Sequence, residues 1–469
     1  MGEKKGSKPQ AAQTSSPETE PETYRAGKTI MLGFTGSIGS GCTFLSEGLD
    51  QSLGSDGYYY RLSRYIYDSL EAQGITSPST AQLQDEGNRL RREYGLQYLV
   101  EQCIDDITKD QEADRFNENS VILIDGLRNT GEVQTLRTSP NFYLISVHAD
   151  RDIRKDRLVG PKPKRFTSEE EFDVADRRDF QEGDLAWGQK VQLCNDAADI
   201  IVNNEEPLPE GSAKREQFFS DFKTRYLTVM KAIRDGTYVP DMAPSMDEVL
   251  MTMAFCASRR SSCEKRKVGA VVAHVKEFPS LAGAVKRPED DKRYQVISSG
   301  YNEVPLGTPP CRLSAEEECY RDSAKRGISG LFKHCPSCGR ELPPEVIHDY
   351  DRIADHSCDC GVRLKECLPG TGEERGRLLD MCRALHAEEN AILGLSGTCK
   401  SGDGELVLYT TTFPCNLCAN KIVEAGIKTV VYAEPYPMKE AKDILRLGGV
   451  TPRKFEGVKS TAYFRIYPS

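Results

Sequence analysis

Short apolar runs alternate with helical patterns through the first half of the chain. KTIMLGFTG (28–36) is a continuous apolar run ending in glycines, and TFLSEGLDQSL (43–53) after it carries the spacing of a helix. VILIDG (121–126) and FYLISVHA (142–149) are apolar at successive positions, the pattern of parallel strands covered on both faces. ADIIVNNEE (198–206) reads as a further strand and FFSDFKTRYLTVMKAI (218–233) as a helix. GTYVPDMAPS (236–245) has the composition of a linker. Beyond it MDEVLMTMAFCASRR predicts a helix, and VGAVVAHV (268–275) and QVISSGYN (295–302) predict strands. An irregular cysteine-rich stretch follows over about 311–382. A helix around HAEENAILGL, the strand ELVLYTTT, a helix starting near Pro414 and the strand KTVVYAEP close the pattern. The expectation is an α/β chain of two units, 28–235 and 246–469, joined by the linker 236–245. Residues 1–27, rich in Lys, Glu, Ser, Thr and Pro, are expected to form a disordered tail.

Composition narrows the classes. The chain has 469 residues, 38% hydrophobic and 29% charged, too long for a single core. No apolar run approaches the ~18 residues of a membrane helix, and the N-terminus has no signal-peptide core. A cytoplasmic protein without a membrane partner is expected. In a reducing compartment sixteen cysteines favour metal ligation over a disulfide framework. A net charge of −10 argues against adhesion to nucleic acid, which depends on Lys and Arg releasing counterions.

The cysteines fall into two patterns. LHAEENAI (385–392) and TFPCNLCANKI (412–422) give His386-x-Glu388 and Pro414-Cys415-x-x-Cys418. One imidazole and two thiolates suit Zn²⁺ and leave a fourth tetrahedral position for water, whose pKa such a metal lowers toward ~7. Thiolates on the first turn of a helix are favoured by its free N–H groups and dipole. Glu388, two residues from the imidazole, reaches the pocket without ligating and is the candidate catalytic acid and base. The second pattern, within the insert 331–369, is Cys335-x-x-Cys338-Gly and Cys358-x-Cys360-Gly. Two such knuckles about twenty residues apart have the spacing of a zinc ribbon, whose four thiolates close a structural site. His334, His356 and Cys367 remain competing ligands.

GFTGSIGSGCTF (33–44) almost spells a phosphate-binding loop, with Gly36, Ser37, Ile38, Gly39, Ser40, Gly41, Cys42 and Thr43 in register, but Cys42 stands where the lysine belongs. The glycines let backbone N–H groups face a phosphate, while Thr43 and Asp125 are candidate partners of Mg²⁺ and nucleotide. Without the lysine, binding survives on backbone donors and efficient phosphoryl transfer does not. Arg151, Arg154 and Arg157 are spaced to reach phosphates, although such a run is more often a solvated helix face.

SRRSSCEKRKVGAVV, SSGYNEVPLG, CRALHAEENAI and LYTTTFPCNLCANKIVEAGIKTVVY resemble, in order, successive blocks of the deoxycytidylate deaminases. The resemblance covers most of 245–469 and implies a cytidine-deaminase-like α/β sandwich in which Asn302 holds the nucleotide's sugar and Tyr436 packs near the base. GFTGSIGSGCTF, VILIDGLRNTGEVQTLR and GQKVQLCNDAADIIVNNEE resemble P-loop kinases of deoxynucleoside monophosphates, implying a P-loop NTPase-like parallel-sheet domain. The combination is similar to the bacterial anti-phage dCTP deaminases. That likeness implies deamination of dCTP and dCMP to uracil nucleotides, depletion of dCTP during infection, and a homo-oligomer, a hexamer by family precedent. A small RNA holds some members silent. A nucleotide effector at the P-loop is expected. Two alternatives share parts of the pattern. A housekeeping dCMP deaminase for thymidylate supply is expected to have no use for ~200 extra N-terminal residues. A nucleic-acid-editing deaminase needs a basic, aromatic-lined channel.

Overall fold

The computed structural model describes residues 29–161, 164–180, 185–237, 243–263, 265–277, 291–308, 310–311, 319, 334–335, 337–343, 356–364, 382–395, 404–435 and 439–467. The tail 1–27, much of the cysteine-rich insert, the expected base-packing residue Tyr436 and the competing ligand Cys367 lie outside them.

The mixed α/β architecture is as expected and is built on two sheets. The first has six strands in the order β11-β5-β4-β1-β3-β2. They are β1 (Ile30–Thr35), β2 (Gly57–Arg61), β3 (Val121–Asp125), β4 (Phe142–His148), β5 (Ile200–Asn203) and β11 (Gly457–Val458). β1 to β5 are parallel, and every residue of β1, β3 and β4 is buried, which is why their sequences carry no alternation. The second sheet has the order β10-β9-β8-β6-β7, with β6 (Gly269–Glu277), β7 (Lys292–Tyr301), β8 (Glu405–Thr412), β9 (Thr429–Glu434) and β10 (Thr451–Lys454). β6 pairs antiparallel with β7 and β8, whereas β8, β9 and β10 run parallel.

The chain's last described residues return to the first sheet. β11 pairs antiparallel with the edge strand β5, placing Gly457 opposite Ile201 and Val458 opposite Ile200. Val458, Ala462 and Ile466 are buried in the same core as Ile30, Leu32 and Phe219. Ile201 in turn packs among Leu250, Val271 and Phe455, joining the two sheets through one apolar cluster. Among the described residues, no helix is long and apolar enough to cross a membrane.

Candidate metal-dependent active site

Two helix starts bring the first cysteine pattern together. His386 is the N-cap of helix Ala387–Leu393, and Cys415 is the N-cap of helix Asn416–Glu424 with Cys418 in its first turn. Strand β7 presses close to the first of these helices at Gly300, where a Cβ would stand 2.4 Å from Ala387 O. Cys415 Sγ and Cys418 Sγ lie 3.4 and 3.3 Å from His386 Nδ1, and the three donors fall within 4.8 Å of one another. A tetrahedral ion with Zn–S of about 2.3 Å and Zn–N of about 2.0 Å asks for N···S edges of about 3.5 Å, so the donor set fits Zn²⁺. Cys415 and Cys418 are buried. The hydrogen bond from Cys418, then that from His386, holds the Cys415 thiol down to about 4, and its hydrogen bond to Cys415 pushes His386 up.

Glu388 is 4% exposed, in the first turn of helix Ala387–Leu393. Burial pushes its carboxyl above the ordinary value, against the opposing charge of His386. A carboxyl whose pKa is raised holds a proton more readily than a free one, the direction that a group both accepting and returning a proton requires. Asn302 accepts from Val268 N–H at 2.8 Å and donates to Arg266 O at 2.9 Å. The next residue, Glu303, bridges Leu385 through backbone bonds of 3.2 and 2.9 Å. Asn302 thus pins the segment before β6 against the segment that carries His386.

The four insert cysteines also converge. Cys335 Sγ lies 3.7 Å from Cys360 Sγ, and Cys338 Sγ lies 3.6 Å from Cys358 Sγ, with all four sulfurs within 4.8 Å. These edges match the ~3.8 Å of a tetrahedral tetrathiolate and are far longer than a disulfide. Each knuckle turns on a glycine of positive φ, Gly339 at 71° and Gly361 at 86°. Neither His334 nor His356 belongs to the cluster. A looser set of cysteines was not read from the sequence: burial raises the Cys311 thiol, and the charges of Cys263, Cys382 and Cys319 add to the shift, but their sulfurs do not converge as those of the other two sets do. The signal was present in SSCEK and MCRALHAEE, but its members are scattered along the chain rather than paired.

The phosphate loop runs from the end of β1 into helix Cys42–Leu53, with Gly41 at φ 100°. Thr43 donates to Asp125 Oδ2 at 2.7 Å, and Tyr59 donates to the same oxygen at 3.0 Å. Cys42 faces Ser40, 3.6 Å away, and burial followed by the charge of Asp125 pushes its thiol up to about 12. It is neutral where a lysine would be charged. Ile38 N–H donates to Asp179 Oδ2 at 2.8 Å, so an internal carboxylate that also binds Arg128 holds one loop amide. Arg154 and Arg157 turn onto the loop's carbonyls, Ile38 O at 3.0 Å and Gly39 O at 3.3 Å. Arg151 pairs outward with Asp173 and Glu169.

Residues 244–434 match the family model of the cytidine and deoxycytidylate deaminase zinc-binding region. Deoxycytidylate deaminase of Saccharomyces cerevisiae is 26% identical over 358 residues, which are 76% of this chain and 85% of that protein. That aligned length exceeds what residues 246–469 hold, so the likeness extends into the first unit. Among solved structures, a dCMP deaminase from cyanophage S-TIM5 in complex with dCMP and dUMP covers 46% of this chain and all of its own, at 21% identity and a TM-score of 0.24. Shikimate kinase of Aquifex aeolicus covers 42% of this chain and 95% of its own, at 14% identity and a TM-score of 0.24.

Proposed function

We propose that this chain, whose residues 244–434 form a deoxycytidylate deaminase-family domain, hydrolytically removes the exocyclic amine of deoxycytidine nucleotides, dCTP, dCMP or both. The observation that carries this reading is a buried Glu388, its carboxyl raised by burial, beside three convergent ligands that leave one tetrahedral position open. His386, Cys415 and Cys418 would hold Zn²⁺, which when bound lowers the pKa of water toward neutrality. Glu388 takes the proton from the attacking water, delivers it to the ring nitrogen, and passes a proton to the departing ammonia. Burial supports both transfers by keeping the carboxyl's affinity for protons high. Asn302 would fix the loop against which the sugar lies.

Glu388→Gln is expected to retain zinc and lose ~10⁴ in kcat on dCMP or dCTP, the upper end for a general acid–base group. Turnover near the wild-type rate would reject the mechanism. Rates on dCTP, dCMP, CTP, cytidine and single-stranded DNA sort the substrate class and test the editing alternative directly.

Cys335, Cys338, Cys358 and Cys360 would hold a second, structural Zn²⁺ on the strength of their sulfur separations. The N-terminal loop would bind a nucleotide phosphate without transferring it, since neutral Cys42 offers no charge to the phosphoryl group. Depletion of dCTP against phage fits the joining of a kinase-like unit, a deaminase unit and a cysteine-rich insert. Supply of dUMP to thymidylate synthesis has an observation of its own. The yeast deoxycytidylate deaminase aligns past the deaminase unit, so the extra N-terminal residues no longer argue against housekeeping. Survival of cells on phage challenge, against their thymidine requirement on deletion, separates the two roles.

A further inference from the structure

The phosphate loop and the deaminase sheet meet at one ionic node. Asp150 precedes helix Arg151–Leu158, which sends Arg154 and Arg157 to the loop's carbonyls. Arg157 also donates to Asn204 O at 2.7 Å, and Asn204 donates to Ser40 O at 2.8 Å. The loop is therefore gripped from its carbonyl side by two segments, one following β4 and one following β5. Each segment carries an acid that turns the other way. Asp150 and Glu205 both bind Lys454 of β10, the first at 2.5 Å, and Asp150 N–H donates to Glu205 Oε1 at 2.9 Å. Lys442 reaches Asp150 as well, at 3.2 Å.

Lys454 leads on to the zinc-site strands. Its partner across the sheet is Tyr432 of β9, whose ring meets Phe413 edge-on with centroids 4.8 Å apart. Phe413 N–H donates to Glu434 O at 2.9 Å and stands two residues before Cys415.

We propose that Lys454, held jointly by Asp150 and Glu205, is the coupling residue through which ligand at the phosphate loop sets the rate at the zinc site. The inference rests on the reading of the loop as a nucleotide-phosphate site. The Lys454 side chain is only 10% exposed, so two carboxylates share one ammonium with little water to replace either of them. Moving one acid by an ångström or two breaks a charge-assisted bond instead of stretching it, which makes the node discrete. An anion entering the loop draws on Arg154 and Arg157, which follow Asp150 on one segment, and Arg157 also holds Asn204, the neighbour of Glu205 on the other. Contiguity alone transmits nothing; the two arrangements must bind the anion with different affinity, and that difference is measurable.

Full-length enzyme is titrated with magnesium tripolyphosphate, which carries no base to deaminate, in calorimetry and in steady-state deamination of dCMP. Wild type should bind it and change kcat/KM by about fivefold or more. Lys454→Met should bind it within about threefold of wild type yet change kcat/KM by less than about twofold, and Lys454→Arg should restore the response. Gly41→Val, which places bulk against Asn204, should abolish binding. Glu205→Gln serves as a second uncoupling variant should Lys454→Met lose zinc or fold. A wild-type enzyme that fails to bind overturns the phosphate-loop reading together with this inference, and one that binds without a change in rate overturns the inference alone. Uncoupling variants that respond as wild type does overturn the inference alone.

Discussion

His148 shows what burial of a single titratable residue does to the molecule. It ends β4 and is 8% exposed, and burial, with Lys454 and Lys459 adding, pushes it down to about 3. In the unfolded chain a histidine titrates near 6.5. The folded state therefore prefers neutral imidazole, and its full stability is present above about pH 6.5. It is lost progressively as the pH falls from there toward 3, because the unfolded chain takes up a proton that the fold refuses. Between pH 7.5 and pH 5 the loss from this one group should be about 2 kcal/mol. Urea midpoints of wild type and His148→Gln at both pH values check this by difference, which cancels the titration of other groups. The variant should be less sensitive to acid; equal sensitivity would show that His148 takes up a proton as readily in the fold as in the unfolded chain. The same logic, with opposite sign, separates Glu388, whose raised pKa serves a proton transfer.

At the scale of elements, the cysteine knuckles are the clearest case of local sequence specifying local structure. Cys335 N–H donates to Arg340 O at 2.7 Å and Cys358 N–H donates to Val362 O at 2.9 Å, closing two similar turns. Among the described residues only Leu342 and Leu364 join Cys335 and Cys358 in that small core, so a bound metal would supply much of its folding free energy. Metal-replete protein should contain two zinc ions per chain, and Cys335→Ser should lower the content by about one while leaving the catalytic ion in place. One ion in wild type would reject the ribbon, and three would show that Cys263, Cys311, Cys319 and Cys382 ligate as well. Such knuckles, the His386–Glu388 pair and the buried strands β1, β3 and β4 were legible in the sequence because each is encoded within a few residues. Strand β2 was not: GYYYR is a polar-edged, half-buried strand at the sheet's margin, with no apolar run to announce it. The short β10 and β11 were likewise invisible, since TPRK is largely exposed and GV is only two residues long. Nor could spacing reveal that Arg154 and Arg157 face the loop instead of water, or that Asp179 reaches Ile38 from 141 residues away.

On the scale of the whole molecule, Glu248 ties the segment 457–467, the helix Met246–Ser258 and the first unit together. It is 1% exposed at the start of helix Met246–Ser258, where Ser245 N–H donates to Oε2 at 2.8 Å in a capping box. Oε2 also accepts from Tyr467 at 3.0 Å, while Oε1 accepts from Val458 N–H at 2.9 Å and from Arg225 at 3.0 Å. One carboxylate thus satisfies donors from the segment that completes the first sheet, from Arg225 in the helical stretch before the linker and from the start of helix Met246–Ser258. Glu248→Ala would leave those donors without an acceptor and Arg225 without its partner, at a cost of about 3–5 kcal/mol. The loss should fall on the first unit, because β11 and the apolar residues after it are what Glu248 holds in place. Trp187, the one tryptophan in the chain, lies in that unit and reports its unfolding, while release of the catalytic zinc reports the other. In wild type the two signals should change together across a urea titration, as the shared Ile201, Leu250 and Phe455 cluster requires. In Glu248→Ala the tryptophan transition should move to lower urea and precede zinc release. Coincident transitions in the variant would mean that the apolar cluster alone couples the two units, and that the C-terminal segment is a passenger on the edge of β5.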